Sequence, residues 1–230
     1  MPALKKLAII GHGKMGKLID QLAPEYEFEV VARLSRSNIS EPLRDIDVAI
    51  EFSTPTAAPA NLERLAQARI PTVCGTTGWF EQLPQVAAAV EQNEIGLVWS
   101  PNFAAGMAVF RRVVRLAAEL LQNQPEYGAW AWEIHHDTKK DAPSGTLLQL
   151  VESMRQAGYT RHIDSTASRA GKHPGTHEIG FDSSGDTITL RHAARSRESF
   201  ARGALRSAQW IIGKKGVFTF DDVLFGPGES

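Results

Sequence analysis

The fourteen residues Glu133–Thr146, EIHHDTKKDAPSGT, place two histidines, two lysines and three carboxylates around a Pro-Ser-Gly-Thr turn. No other stretch of the chain is so dense in groups that move protons or bind anions. Imidazole titrates near neutral pH without a large shift, so it suits proton transfer. Ser144-Gly145-Thr146 stands just ahead of an amphipathic run, Leu147–Ala157, and is expected to open a helix. The free N–H groups and the dipole of a helix start form an anion site without a charged side chain. Gly145 admits a carboxylate closely, the Thr146 hydroxyl adds a donor, and Pro143 fixes the entry to the turn. In an extended segment His135 and His136 face opposite ways, so they do not share one role unless the strand has already ended. A metal reading, with His135 and His136 joined by Asp137 or Glu133, lacks helical i, i+4 spacing and an evident third ligand. No metal is expected. The remaining alternative is a solvated charged loop.

These groups need elements to position them. The aromatic run Ala129–Trp132 leads in as a strand, a loop follows, and the Leu147–Ala157 helix leads out. Upstream, Leu7–Ile10 is a short apolar run read as a buried parallel strand. It ends in Gly11-His12-Gly13-Lys14-Met15-Gly16, a G-x-G-x-x-G match that opens a helix through Leu18, Ile19 and Leu22. Gly11 makes the tight turn, Gly13 lets the backbone approach a pyrophosphate, and Gly16 lets helix and strand pack closely. The second strand is Phe28–Ala32. An NAD-binding fold commonly ends it with an acid on the ribose. Here Arg33-Leu34-Ser35-Arg36 follows, and two arginines with a serine suit a 2′-phosphate. NADPH is therefore expected to be accepted; solvated arginines are the alternative.

Three further strands, Asp47–Phe52, Pro71–Cys74 and Gly96–Trp99, end in small polar loops. Phe52-Ser53, Gly75-Thr76-Thr77 and Pro101-Asn102-Phe103 lie where a ligand sits beyond the carboxyl ends of a parallel sheet. Helices around 56–68 and Leu83–Gln92 alternate with them, which argues for a doubly wound α/β sheet. Cys74 reads as a packed strand residue.

The second half opens with a helix over Gly106–Leu121, whose expected apolar face is Met107, Phe110, Val113, Val114, Ala117, Leu120 and Leu121. After Gly158 the texture becomes that of short antiparallel strands at Ser165–Arg169, His177–Asp182 and Thr187–Ala194. The Gly- and cation-rich loop Arg169–His177 is expected to close over an anion or to be a flexible hairpin loop. A helix over Ser196–Ile212 and a packed tail over Val217–Phe225 complete the chain.

Composition bounds the partners. With 230 residues, 43% hydrophobic and 22% charged, one or two globular domains are expected. A net charge of −1 gives no basic excess for nucleic acid or anionic membrane. No apolar run approaches the roughly 20 residues of a membrane helix. A single cysteine and the lack of a signal-peptide pattern at the start point to a cytoplasmic protein.

With these motifs in view, the sequence resembles the 4-hydroxy-tetrahydrodipicolinate reductases (dihydrodipicolinate reductases) of lysine and diaminopimelate biosynthesis. The most specific match is Glu133-x-His135-His136-x-x-Lys139-x-Asp141-Ala142-Pro143-Ser144-Gly145-Thr146. Lys14-Met15-Gly16, Phe52-Ser53-Thr54-Pro55, Gly75-Thr76-Thr77-Gly78, Pro101-Asn102-Phe103, Arg169–His177 and Ser196-Arg197-x-x-Phe200-Ala201-x-Gly203-Ala204 support it. The resemblance implies a Rossmann-like doubly wound parallel sheet from residues 1–104 plus 198–230. Between them it implies an α+β insertion, residues 105–197, whose mixed or antiparallel sheet binds substrate and forms the core of a homotetramer. It implies NADPH or NADH as cofactor and a cyclic dicarboxylate as substrate. It implies His135 as proton donor, Lys139 as partner acid, and substrate held by His136 and by Ser144-Gly145-Thr146. The chain departs from the pattern in a glycine loop one residue shorter than the commonest form, in Ser35 and Arg36 at the usual acid, and in a short Tyr26–Asp45 region. A related amino-acid or semialdehyde dehydrogenase would lack the His135–Thr146 string, and a non-catalytic dinucleotide sensor would need a partner module that is not visible.

Overall fold

Short apolar runs punctuated by small loops become parallel strands in the computed structural model, which describes residues 3–39 and 41–228. Met1, Pro2, Ser40, Glu229 and Ser230 fall within the expected domain limits and the Tyr26–Asp45 region but lie outside the described residues. The chain divides into two compact units, Met1–Ala105 with Glu198–Ser230, and Gly106–Arg197.

In the first unit β1 (Lys5–Ile10), α1 (Lys14–Leu22), β2 (Phe28–Leu34), β3 (Val48–Glu51), α2 (Ala58–Gln67), β4 (Thr72–Cys74), α3 (Leu83–Gln92) and β5 (Gly96–Trp99) alternate. The second unit holds α4 (Ala105–Leu121), which starts at the boundary, β6 (Gly128–His135), α5 (Gly145–Gln156), β7 (Ile163–Arg169), β8 (Thr176–Asp182) and β9 (Thr187–Ala193). The chain then returns to the first unit with α6 (Glu198–Ile211), β10 (Gly216–Thr219) and α7 (Phe220–Phe225). The tail thus packs as expected, as the edge strand of a six-stranded sheet.

That sheet runs β10-β5-β4-β3-β1-β2 and is parallel throughout. Strand order reverses between β1 and β3, which is where ligands settle in open parallel sheets. Alternation sorts the two faces. Leu7 and Ile9 pack with Ile19 and Leu22 of α1 and with Ala204, Leu205 and Ala208 of α6. Ala8, Ile10 and Ala49 pack with Leu65 of α2, while Cys74 and Leu97 pack with Val86 and Val90 of α3.

The second sheet runs β7-β6-β8-β9. β8 pairs antiparallel with β6 and with β9, as the texture implied. β7 does not: it pairs parallel to β6 along Ala129–His135. The reason is α5, which returns the chain to the starting end before β7 begins, whereas a short turn would have reversed it. A second correction concerns α4. Its buried residues are Met107, Ala108, Phe110, Val114 and Ala118, whereas Val113 and Leu120 are exposed with Val109 and Leu116. The helix is apolar on two faces, and periodicity alone merged them. Among the described residues no helix is long and apolar enough to cross a membrane.

Candidate functional site

The first unit carries a cleft of about 610 Å³ at the β1/β3 reversal, lined by Gly11, His12, Gly13, Ser35, Arg36, Phe52, Ser53 and Asn61 among others. Gly11 turns the chain at φ +93°, and a Cβ on it would sit 2.2 Å from the Phe52 carbonyl oxygen, so only glycine fits. A Cβ at Gly13 would meet no protein atom within 4 Å. Gly13 is also the N-cap of α1 and offers no side chain to its N–H groups. An uncapped helix start beside open space is the cradle a pyrophosphate requires.

The other expected cofactor residues divide. Lys14, Met15 and Gly16 form the first turn of α1, Lys14 exposed and Gly16 buried. Ser35 and Arg36 line the cleft, but Arg33 does not. The Arg33 guanidinium instead donates to both carboxylate oxygens of Asp20, at 2.6 and 2.7 Å, and His12 Nε2 lies 3.0 Å from the same carboxylate. Arg33 holds Asp20 below the usual carboxylate range. Sequence spacing cannot see this pairing, because the acid comes from α1. Gly75 lies under the Phe52 ring, and the Thr76 hydroxyl accepts a 2.8 Å bond from the Ser53 N–H. Thr77 and Pro101 are exposed, and Asn102 is half-buried. Phe103 is core, 5.0 Å between ring centroids from Phe220.

Glu51 was not anticipated. It is fully buried at the end of β3 and accepts from the Ser53 N–H and hydroxyl, from Asn61 and from the Cys74 thiol. Cys74 is thereby a packed thiol, pushed well above its ordinary pKa by burial and then by the Glu51 charge. An acid closing the otherwise apolar run Val48–Ile50 was the visible signal.

In the second unit the strand ends at His135, so His135 faces inward and His136 begins the loop. The inward row of β6 is Ala129, Ala131, Glu133 and His135, apolar at first and then polar. His136 Nδ1 lies 2.8 Å from the Thr138 hydroxyl. Lys139 donates to both oxygens of Asp141, at 2.7 and 2.9 Å, rather than to a histidine. Asp141 sits below its ordinary pKa through Lys139 first and the Gly145 N–H among lesser causes, so a carboxylate of the chain already lies by this helix start.

Ser144 caps α5, its hydroxyl accepting from the Leu147 N–H at 3.2 Å. Its own donors are spent: its N–H gives a 2.8 Å bond to Glu133 Oε1 and its hydroxyl donates to Glu133 Oε2. Ser144 is also buried, whereas Gly145 is exposed and Thr146 half-buried.

Glu133, which the sequence offered only as a possible metal ligand and as the first residue of the motif, is the hub. Arg169 donates to its Oε1 at 2.9 Å, and His177 Nε2 lies 3.3 Å from its Oε2. His135 Nδ1 lies 3.6 Å from the same Oε2. The expected Arg169–His177 loop is shorter than read, because Arg169 ends β7 while Thr176 and His177 begin β8. What remains is tied down by N–H bonds from Ala170 to the His135 carbonyl, 3.0 Å, and from Asp137 to the Gly171 carbonyl, 3.2 Å. Gly175, at φ +138°, has no room for a Cβ because His135 Nε2 stands 2.9 Å from where it would lie.

Electrostatics follow from this packing. Burial pulls Glu133 upward, but its bonds from Ser144 and Arg169 outweigh that and leave it below the usual range. Burial lowers His135, against the Glu133 charge that raises it. Burial and then the nearness of His135 push His177 to about 4. Glu133, His135 and His177 bring ligand-type atoms within 4.8 Å of one another, a grouping invisible in sequence because His177 comes from another strand. The Arg169 guanidinium on the same carboxylate opposes a cation there.

Comparison with known proteins covers both units. A family model described as dihydrodipicolinate reductase, N-terminus, matches residues 5–103, and one described as dihydrodipicolinate reductase, C-terminus, matches residues 106–224. The 4-hydroxy-tetrahydrodipicolinate reductase of Christiangramia forsetii is 32% identical over 95% of this chain and 97% of its own. That of Caldanaerobacter subterraneus is 35% identical over 93% of this chain and 95% of its own. A dipicolinate-bound dihydrodipicolinate reductase from Paenisporosarcina sp. TG-14 shares the fold, with a TM-score of 0.78 at 24% identity over 94% of this chain and 97% of that one.

Proposed function

This chain belongs to the dihydrodipicolinate reductase family, and from that premise we propose that it reduces 4-hydroxy-tetrahydrodipicolinate to tetrahydrodipicolinate on the lysine and diaminopimelate pathway. The observation that carries this reading is the Glu133–Thr146 stretch, in which a buried imidazole on a strand end and a serine-capped helix start lie on one continuous segment. A reduced nicotinamide, when bound, supplies the hydride. Gly11, Gly13 and the uncapped start of α1 bind its pyrophosphate, and Ser35 and Arg36 take the adenosine ribose. Arg36 and the absence of an acid after β2 favour acceptance of NADPH; Arg33, held by Asp20, contributes less than its position in sequence implied.

The substrate loses its 4-hydroxyl as water, and His135 delivers the proton that balances the hydride and completes the reduction. Lys139 stabilises developing charge and a substrate carboxylate once Asp141 yields it. Gly145 and Thr146 hold a carboxylate through N–H donors, with Ser144 as their support, and His136 binds at the rim. Residues 1–104 with 198–230 form the dinucleotide domain, and 105–197 the substrate and tetramerisation domain.

The test is oxidation of NADPH and of NADH in the presence of freshly prepared 4-hydroxy-tetrahydrodipicolinate. Substrate-dependent oxidation is expected, with the lower KM for NADPH. His135→Gln is expected to lower kcat by about 10²–10⁴. Soluble protein that binds cofactor yet oxidises none with substrate present would refute the assignment, and near-full activity of His135→Gln would remove that residue from the mechanism.

A further inference from the structure

The Glu133 carboxylate does more than tie down a helix cap. Ser144 caps α5 with its own hydroxyl, so the helix does not require a buried acid behind it. Yet Glu133 is fully buried, and its Oε2 points at two imidazoles, 3.3 Å from His177 Nε2 and 3.6 Å from His135 Nδ1. His135 Nδ1 is buried with no hydrogen-bond partner, so it reaches neither solvent nor a ligand. The other ring nitrogen, Nε2, packs against the Gly175 backbone, 2.9 Å from where a Cβ would lie, a closeness that only glycine allows. The two nitrogens thus have different surroundings: one faces a buried anion, the other the chain's glycine-rich loop.

We propose that Glu133 is a positioning residue for proton transfer: its Oε2 keeps a proton on His135 Nδ1, which makes Nε2 the nitrogen that delivers a proton to the substrate. This rests on the assignment of His135 as proton donor. The groups facing His135 are Glu133 on its own strand, Lys139 and Asp141 on the following loop, Arg169 on β7, and His177 on β8 with His192 behind it on β9. Lys139 and Arg169 disfavour an imidazolium, and burial does so more strongly. Glu133 is the nearest group that favours it. The donor must carry its proton before each turnover, so activity falls as pH rises through the His135 pKa. Removing the Glu133 charge makes His135 harder to protonate and moves that falling limb to lower pH.

The experiment is the pH profile of kcat for the wild-type enzyme, Glu133→Gln and Glu133→Asp. For Glu133→Gln we expect the falling limb to move down by about one pH unit or more, with kcat at pH 7.5 lower by at least about tenfold and KM within about threefold of wild type. Glu133→Asp, which keeps the charge, is expected to return the limb most of the way. A Glu133→Gln profile that superimposes on wild type, whatever its thermal stability, would overturn the proposal and leave the carboxylate a structural support. If Glu133→Gln does not fold, nitrogen-15 shifts of His135 in the wild-type protein decide: the neutral ring is expected as the Nδ1–H tautomer, and an Nε2–H tautomer overturns the proposal. An inactive wild-type enzyme would instead count against the assignment of function, so the two failures are distinct.

Discussion

At the scale of the single residue, His177 shows what the buried network costs. The residue is 4% exposed and its imidazole is pushed from 6.5 to about 4, first by burial and then by His135. In the unfolded chain this imidazole takes a proton near pH 6.5, and in the folded chain only near pH 4. Between those values the unfolded state holds more protons, so stability falls as pH falls across that window. The gap is worth on the order of 3 kcal/mol for this residue. His135 and His192 are lowered as well and act with the same sign. The urea midpoint of the wild-type protein is expected to drop from pH 6.5 to pH 4, and that of His177→Gln to drop less. Equal slopes for the two proteins would assign the acid sensitivity to other groups.

At the scale of the element, Ser144 joins β6 to α5. Its hydroxyl accepts from the Leu147 N–H and donates to the buried Glu133, while its N–H donates to the other Glu133 oxygen. Ser144→Ala therefore removes a helix cap, about 1 kcal/mol, and takes a donor from a buried carboxylate, about 1–3 kcal/mol more. Urea unfolding is expected to rank wild type above Ser144→Thr, which keeps a hydroxyl, and Ser144→Ala last by about 2–4 kcal/mol. A loss under about 0.5 kcal/mol for Ser144→Ala would mean that Glu133 finds its partners elsewhere. The helix start was legible in sequence, because Ser-Gly-Thr ahead of an amphipathic run is a local signal. Glu133 was not legible as its partner. Its role depends on which strands flank β6: Arg169 and His177, 36 and 44 residues away, are neighbours only because β6 pairs with β7 and β8, with Glu133 opposite Ala167 and His177 in register. The same limit hid the Asp20–Arg33 pair, since it joins a helix to a strand end.

At the scale of the whole molecule, the parallel sheet was legible from β1 to β5 because each of those strands carries its own apolar run and its own loop, whereas β10 was read only as a tail that packs. The direction of β7 was not, since a run such as Ser165–Arg169 reads alike in either orientation and α5 decides it. Nor could periodicity say which of two apolar faces of α4 would be buried. What the fold leaves uncovered bears on assembly. Trp130, Trp132 and Ile134 stand in one row on the face of β6 opposite Glu133 and His135, half-buried, with the Trp130 ring over Gly180 of β8. Two tryptophans on a central strand, facing away from the α5 side, form an apolar patch of the kind that marks a protein interface. The proposed homotetramer would cover such a sheet face in every copy, and a closed symmetric assembly uses the same patch repeatedly. Light scattering is expected to give a mass four times the 25.2 kDa of one chain. Trp132→Glu puts a charge in the middle of that row and is expected to lower the mass toward that of a dimer or a single chain while the circular dichroism of the fold is kept. A tetrameric mass retained by folded Trp132→Glu would move the interface off this sheet, and a single-chain mass for the wild-type protein would remove the tetramer altogether.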